Sequence, residues 1–409
     1  MGTSSRLGAH LYLVNPEISA DQILALEEHW RFDFYVYDEQ LAHVFENAAL
    51  CTKAVPAYHA TDSSIDRMSQ TCHAKVRLKK VKTGNIVVMT GGTTGQPQAA
   101  SRKPSIFNFL PPFLALLTQV HLDRYRSVYV ATPIYHGFGL ASLFIGVILG
   151  VEMHFTRRFD ATQACSLVAA NKIEVVTLVP LMLQRMLNLD PSALASLRCV
   201  ITGGAMLNPA LARETLERLG PVLFNLYGTS EAGVSIMATP ELLHRKPESI
   251  GHPVQGVQAR IVNDSDHVAG DGSVGRLCIR CAWSASRKSW IETGDLAYRD
   301  AEGDIFLCGR VDDMIVSGGE NVYPIELENA LMKHPGVNSV AVVGIPDREF
   351  GQRLKAVVVK KQDASLDQSA LIEWLQRRVA RYQMPAVIEF REELPYTSLG
   401  KVDKKSLRG

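Results

Sequence analysis

Short β-branched runs recur through the first half of the chain, NIVVM, SVYVAT, VVTLV and LRCVITGG, with helix-patterned stretches such as ATQACSLVAANK and NPALARETLERLG between them. This alternation is the strongest constraint on the fold, because parallel neighbours in a sheet need crossover connections of helix length. It predicts an α/β chain whose large first domain carries a parallel sheet with covering helices. After residue 250 the pattern changes to closely spaced strands joined by Asp and Gly turns, as in VQARIVNDSDHVAGDGSVGRLCIR, which marks a β-rich subregion. Further on, SVAVVGI and KAVVVKK flank the polar PDREFGQR, and SALIEWLQRRVARY repeats apolar residues at helical spacing. The expected division is a domain of residues 1–310 and a small α+β domain of residues 311–409.

Composition narrows the partners. The 43 basic and 42 acidic side chains nearly cancel, so no global field draws the chain to nucleic acid or to an anionic membrane. Seven dispersed cysteines, at 51, 72, 165, 199, 278, 281 and 308, read as reduced thiols of a cytoplasmic protein. Cys278 and Cys281 form a CxxC, but no second pair stands near to complete a zinc site, and both read as buried thiols on a strand. Residues 137–151, GFGLASLFIGVILGV, carry no charge yet fall short of the ~18 residues a membrane span needs, so a buried helix is expected. The N-terminus MGTSSRLGAHLYL has no signal-peptide pattern, and Arg6 stands where a myristoylation motif requires Ser or Thr.

In VVMTGGTTGQPQAASR an apolar strand ends at Met89 and TGGTTG follows. A turn rich in Gly and Thr directs backbone N–H groups and hydroxyls toward one spot, which suits phosphate oxygens. No Gly-Lys-Ser/Thr follows, so this is not a Walker loop, and alone it reads equally as a plain strand-end turn. Downstream come LYGTSEAG (226–233), ETGDL (292–296), GRVDDMIVSGGENVYPIELE (309–328) and LPYTSLGK (394–401). Together and in this order the five motifs resemble those of the acyl-adenylate-forming enzymes, which include acyl-CoA synthetases, aryl-CoA ligases, luciferases and peptide-synthetase adenylation domains. The resemblance runs from about residue 85 to residue 409, and the first 84 residues match poorly.

The resemblance implies a two-step reaction: a carboxylate attacks the α-phosphate of ATP, releasing pyrophosphate, and a thiol then displaces AMP. It assigns Thr90, Gly91, Gly92, Thr93, Thr94 and Gly95 to the triphosphate, Thr229 to the α-phosphate and Glu231 to Mg2+. Asp295 and Arg310 are implied to hold the ribose. Tyr227, beside Gly228, is implied to stack on adenine against a wall of Gly203, Gly204 and Ala205. Lys401 is implied to bridge phosphate and carboxylate in flight, where one preorganised donor is worth about 10²–10³ in rate. Asp312 matches the family's hinge, and Gly318 and Gly319 the face that admits a pantetheine arm, of coenzyme A or of a carrier protein. His136 in ATPIYHGFGL is implied to close the acyl pocket, with Phe138, Gly139 and Gly233 beside an apolar acid. Outside these motifs the same residues read as a solvated glutamate, a strand-to-helix turn, a core histidine and a basic tail.

The GGEN form at 318–321 resembles acyl- and aryl-CoA ligases more than peptide-synthetase domains, which favours a thioester product. No acidic residue stands out to hold a substrate amine, so an aromatic or medium-chain aliphatic acid is expected. Departures from the family pattern are visible as well. Pro97 is followed by Gln98 and Ala99 where relatives carry Lys-Gly, only 89 residues precede Thr90, and the stretch before ETGDL is short. The missing cation weakens phosphate binding unless Arg102 or Lys103 replaces it. A carrier-protein ligase and a catalytically silent nucleotide-binding relative are the rival expectations; Glu231, Asp295, Arg310 and Lys401 argue against the silent one.

Overall fold

A computed structural model describes residues 8–59, 64–71, 84–91, 97–102, 113–114, 116–229, 231–282, 289–361, 364–397 and 400–408. The chain forms two compact units, residues 1–105 with 135–137, and residues 106–134 with 138–409.

The first unit contains β1 (Leu11–Leu13), β2 (Tyr35–Tyr37), β3 (Ala54–Pro56), β4 (Ile86–Gly91) and β5 (Pro97–Arg102). β1 runs parallel to β4, β4 antiparallel to β5, and β2 pairs with β3. The helix Ala20–Trp30 starts at Ser19, whose side chain accepts from the Gln22 amide while Gln22 reaches back to the Ser19 amide. That reciprocal cap satisfies two of the four amides a helix start leaves open. Its buried Ile23 packs with Tyr35, Val44 and Phe45. TGGTTG thus joins an antiparallel pair in which Thr90 stands opposite Gln98 and Gly91 opposite Pro97. Residues 92–96, which include Gly92, Thr93, Thr94 and Gly95, lie outside the described residues, as does Lys103.

The second unit is organised by an eleven-stranded sheet. Its strands are β6 (Ser127–Val130), β7 (Glu152–Phe155), β8 (Val175–Leu178), β9 (Cys199–Gly203), β10 (Leu223–Thr229), β11 (Gly233–Ala238), β12 (Ser249–Pro253), β13 (Val257–Val262), β14 (Gly275–Cys281), β15 (Ile291–Arg299) and β16 (Ile305–Arg310). The order is β13-β14-β15-β16-β12-β11-β10-β9-β8-β6-β7. From β7 to β10 all neighbours are parallel, and from β10 to β13 all are antiparallel. The parallel half is the alternating region of the sequence. The antiparallel half begins at β11, earlier than the change of composition at residue 250, because the β10–β11 hairpin carries the same apolar character as the strands before it.

Side chains along the parallel strands alternate between two cores. Val128, Val130, Val175, Ile201 and Leu226 face one, and Tyr129, Val176, Leu178, Val200 and Leu223 face the other. Each such aliphatic side chain contributes roughly 1.5–3 kcal/mol by leaving water. The helices Ala161–Asn171 and Pro209–Leu219 cover the second core with Val168, Leu211 and Ala212, starting at Asp160 and Asn208, whose side chains accept amides of the first turn. The apolar stretch at 137–151 does form a helix, Gly137–Leu149, but it is not buried all round. Leu140 and Gly146 face the protein, whereas Val147 and Ile148 are about 60% and 63% exposed. Among the described residues no helix is long and apolar enough to cross a membrane. Cys278 and Cys281 are buried thiols on β14, in no disulfide, and no group of three or more metal-ligating side chains occurs among the described residues.

After β16 a single turn, Val311–Asp313, leads into a separate five-stranded sheet of β17 (Ile315–Ser317), β18 (Glu320–Val322), β19 (Val337–Asp347), β20 (Gly351–Lys360) and β21 (Val387–Arg391). Two helices, Pro324–Met332 and Gln368–Gln376, bury Leu327, Leu331, Leu371 and Leu375 in its own core. β17 and β18 form a tight hairpin: Ser317 pairs with Glu320, and Gly318 and Gly319 between them have φ of 59° and 87°. A two-residue hairpin turn with positive φ at both central positions matches the twist of its strands and favours glycine at both.

Candidate active site

Ligands of open α/β sheets gather beyond the carboxyl ends of the parallel strands. At that edge β9 ends in Gly203 and Leu226 of β10 pairs with it. The next residue, Tyr227, donates its hydroxyl to Asp295 Oδ2 at 2.5 Å. β15 and β16 set Asp295 opposite Arg310, and Arg310 Nη1 donates to Asp295 Oδ1 at 3.4 Å and to the Thr293 carbonyl at 3.3 Å. The same guanidinium donates through Nε to Asp312 Oδ1 at 2.9 Å and through Nη2 to Oδ2 at 3.3 Å. Tyr227, Asp295, Arg310 and Asp312, taken from three separate stretches of sequence, thus form one hydrogen-bonded chain.

Burial raises Asp295 above the ordinary carboxylate range, against the opposing pull of the Tyr227 hydroxyl, Arg310 and Lys401. Burial together with the Asp295 charge also pushes the Tyr227 phenol up, so it stays a donor at neutral pH. For Asp312 burial acts upward as well, but the Arg310 hydrogen bonds outweigh it and hold that carboxyl below its usual range.

Lys401 reaches this cluster from the far end of the chain. The Thr397 amide donates to the Lys401 carbonyl at 2.8 Å, and the Lys401 amide to Thr397 Oγ1 at 3.3 Å, a local loop that aims the residue. Gly400 lies against Val179 and Leu181 at the start of the helix Pro180–Leu189, and farther along that helix Arg185 pairs with Glu393 at 2.9 Å. The Lys401 ammonium lies within electrostatic reach of Asp295 and Arg310; desolvation lowers it below the ordinary lysine range although the residue still meets solvent.

The remaining expected residues lie as follows. Thr229 ends β10, and its Oγ1 accepts from the Ala232 amide at 3.1 Å across the tip of the β10–β11 hairpin, where Glu231 is exposed. One exposed carboxylate suits Mg2+, which takes one or two carboxylates and completes its shell with water and substrate phosphates. Gly204 and Ala205 follow β9 directly. His136 belongs to the first unit, its ring 4.3 Å from that of Tyr135. Gly318 and Gly319 sit at the β17–β18 turn, where the Gly318 amide donates to the Phe350 carbonyl at 3.0 Å.

An apolar cavity lies between the helix Gly137–Leu149 and the β6-β8-β9-β10 face; the sequence implied an acyl pocket beside Phe138 but not the strand residues that wall this one. Leu226, Ile201, Val234, Ile145 and Phe138 are among its walls, and among the described residues no charged side chain lines it. Phe138 was expected there, whereas Gly139 is held against the Thr132 and Pro133 carbonyls and Gly233 gives way to its neighbour Val234. The cavity adjoins the charged cluster: a Cβ on Gly203 would stand 2.9 Å from the Leu226 carbonyl and 3.5 Å from the Phe138 ring, so only glycine fits between them.

The mixed sheet, the separate small sheet and the charged strand-end cluster define a multi-sheet α/β protein with a polar site, and comparison with known proteins gives its family. The chain belongs to the AMP-binding enzyme family: residues 3–287 match the family's model and residues 326–401 that of its C-terminal domain. The match extends the likeness through the first 84 residues, which carry few of the recognisable motifs. Indoleacetate–CoA ligase of Aromatoleum aromaticum is 31% identical over 345 residues, covering 80% of this chain and 67% of the relative. The medium/long-chain-fatty-acid–CoA ligase FadD8 of Mycobacterium tuberculosis is 31% identical over 349 residues, 78% of this chain and 60% of that one. A 2-succinylbenzoate–CoA ligase of Staphylococcus aureus is 31% identical, covering 78% of this chain and 66% of its own length. The chain thus spans about two thirds or less of these relatives. In fold it is similar to ATP-bound MatB from Rhodopseudomonas palustris, with a TM-score of 0.87 at 24% identity over 99% of this chain and 84% of that one. Family model and relatives make the chain an AMP-binding enzyme, and each of the three relatives named is an acid–CoA ligase.

Proposed function

We propose that this chain activates an apolar carboxylic acid with ATP and passes the acyl group to the thiol of a pantetheine arm. In the first step a carboxylate oxygen bonds to the α-phosphorus and the bond to pyrophosphate breaks. In the second the thiol sulfur bonds to the acyl carbon, AMP leaves, and the thiol proton passes to solvent. The observation that carries the proposal is the hydrogen-bonded Tyr227–Asp295–Arg310 cluster with Lys401 brought to it by the C-terminal tail. Asp295 offers carboxylate lone pairs to the ribose diol. Lys401 offers a cation to the oxygens that gain charge as two anions meet. Glu231 would hold Mg2+, which would neutralise phosphate charge when bound. Thr90 to Gly95 would grip the leaving phosphates, His136 would border the acyl group, and Thr229 would touch the α-phosphate. Residues 1–310 would act as the catalytic body and residues 311–409 as a mobile lid.

Three named relatives being CoA ligases favours coenzyme A over a carrier protein as acceptor. The cavity's apolar walls favour an aromatic or medium-chain aliphatic acid. Thiols in no disulfide fit a reducing compartment, the cytoplasm. Pyrophosphate release measured over a panel of such acids with ATP and Mg2+ tests the proposal. Release with at least one acid, followed by a thioester on adding coenzyme A, is the expected outcome; nucleotide binding without pyrophosphate release across the panel identifies a silent relative.

A further inference from the structure

The wall that the parallel strands present to the cavity is apolar except at Ser127 and Thr177. Register sets Val130 opposite Thr177, Thr177 opposite Ile201, and Ile201 opposite Phe224. Thr177 lines the cavity, is 5% exposed, and its Oγ1 has no hydrogen-bond partner among the described residues. The other hydroxyls of the lining are engaged. Ser142 Oγ donates to the Phe138 carbonyl at 3.0 Å, Ser127 Oγ accepts from the Glu174 amide at 3.1 Å, and the Tyr125 hydroxyl donates to the Arg198 carbonyl at 3.5 Å. A buried hydroxyl left unsatisfied is a net cost to the folded chain, and valine would fill the same place on the strand without it.

We infer that Thr177 is a specificity residue whose partner is supplied by the substrate: the acid carries one neutral hydrogen-bonding group, a hydroxyl or a carbonyl, part way along an otherwise apolar acyl group. The inference rests on the cavity being the acyl site. Thr177 pairs with Ile201, two residues before Gly203, so at ~3.3 Å per residue it stands about 7 Å below the carboxyl end of β9, the edge at which the charged cluster forms. The polar group therefore belongs several bonds from the carboxylate rather than beside it. Charged substituents are disfavoured, because among the described residues no charged side chain lines the cavity and an unpaired buried charge is far more costly than a neutral group.

Two measurements on the full chain test this, with phenylpropanoate and its para-hydroxy derivative, and with octanoate and keto-octanoates carrying the carbonyl at successive positions. The first is the thermal shift each acid produces without ATP; the second is kcat/KM for pyrophosphate release. The wild type should prefer at least one oxygenated acid over its plain analogue by about ten-fold, the worth of one buried hydrogen bond. Thr177→Val should bring that ratio to one or below, and Thr177→Ser should restore most of it. Equal shifts for plain and oxygenated acids in the wild type, or a preference that survives in Thr177→Val, overturns the inference. If the shifts show the Thr177-dependent preference while no acid releases pyrophosphate, the ligase proposal fails and the assignment of Thr177 stands.

Discussion

At Asp295 burial and hydrogen bonding pull in opposite directions, and burial wins. A carboxyl whose folded pKa is raised holds its proton longer than the unfolded chain does. Stability it lends is therefore present below the unfolded value of about 3.9 and lost as pH rises through the folded one. Folding thus disfavours the ionised form of Asp295, the form that accepts from the ribose diol in the proposed site. Asp295→Asn should accordingly unfold at equal or higher denaturant concentration near pH 7, yet bind ATP about ten- to a hundred-fold more weakly, since it loses charged hydrogen bonds to the ribose. Calorimetric titration and urea unfolding check the two halves, and a parallel loss of both would make Asp295 purely structural. Lys401 is affected in the complementary sense, its ammonium disfavoured by desolvation. Lys401→Ala should cut adenylation by about 10²–10³-fold while leaving thioester formation from a supplied acyl adenylate largely intact. Equal loss of both steps, in separate assays, would refute its role in the first. These two residues were legible because each lies in a short contiguous motif. The Tyr227–Asp295 bond was not, because its partners are 68 residues apart and meet only through the order of the sheet.

Elements were legible where periodicity and caps agree, as in the helices Ala161–Asn171 and Pro209–Leu219. They were less so where hydrophobicity alone spoke. The run at 137–151 gives a helix, but its bare Val147 and Ile148 show that an uncharged stretch says little about which face is covered. The β17–β18 hairpin raises a sharper question, because its two glycines have two explanations. The turn alone favours both, whereas the family resemblance gives them to the passage of pantetheine. Gly319→Asn separates these: asparagine tolerates positive φ, and a Cβ at Gly319 meets nothing within 4 Å. If clearance for the thiol arm is the need, adenylation should stay within about two-fold of wild type, a surface-like change, while thioester formation falls at least ten-fold. If the turn is the whole explanation, both steps should remain near wild type in single-turnover assays.

For the molecule as a whole, the proposed division at residues 310 and 311 rests on one turn, Val311–Asp313, between two sheets. In the present arrangement the C-terminal tail lies over Val179 and Leu181 with Lys401 near Asp295, the pose that the proposed first step requires. If the lid must turn to present the β17–β18 face to a thiol, the torsions of this turn must absorb the change. Asp312→Pro is a blunt probe, because it also removes the carboxylate that receives two donors from Arg310. Val311→Pro is cleaner. Arg310 before it is extended, with φ −106° and ψ 146°, as a residue preceding proline prefers, and Val311 is the first residue of the turn, where proline fits. The substitution should therefore keep the adenylating pose and its Arg310–Asp312 pair while fixing φ at residue 311 near −65°. Val311→Pro should release a full burst of pyrophosphate, accumulate acyl adenylate, and form thioester at least ten-fold more slowly, as a closure-gated step would. Asp312→Ala, which loses the ion pair but not the freedom of the turn, should instead slow the first step more than the second. Normal thioester turnover in Val311→Pro, with its burst intact, would move the hinge away from this turn or remove the rotation from the mechanism.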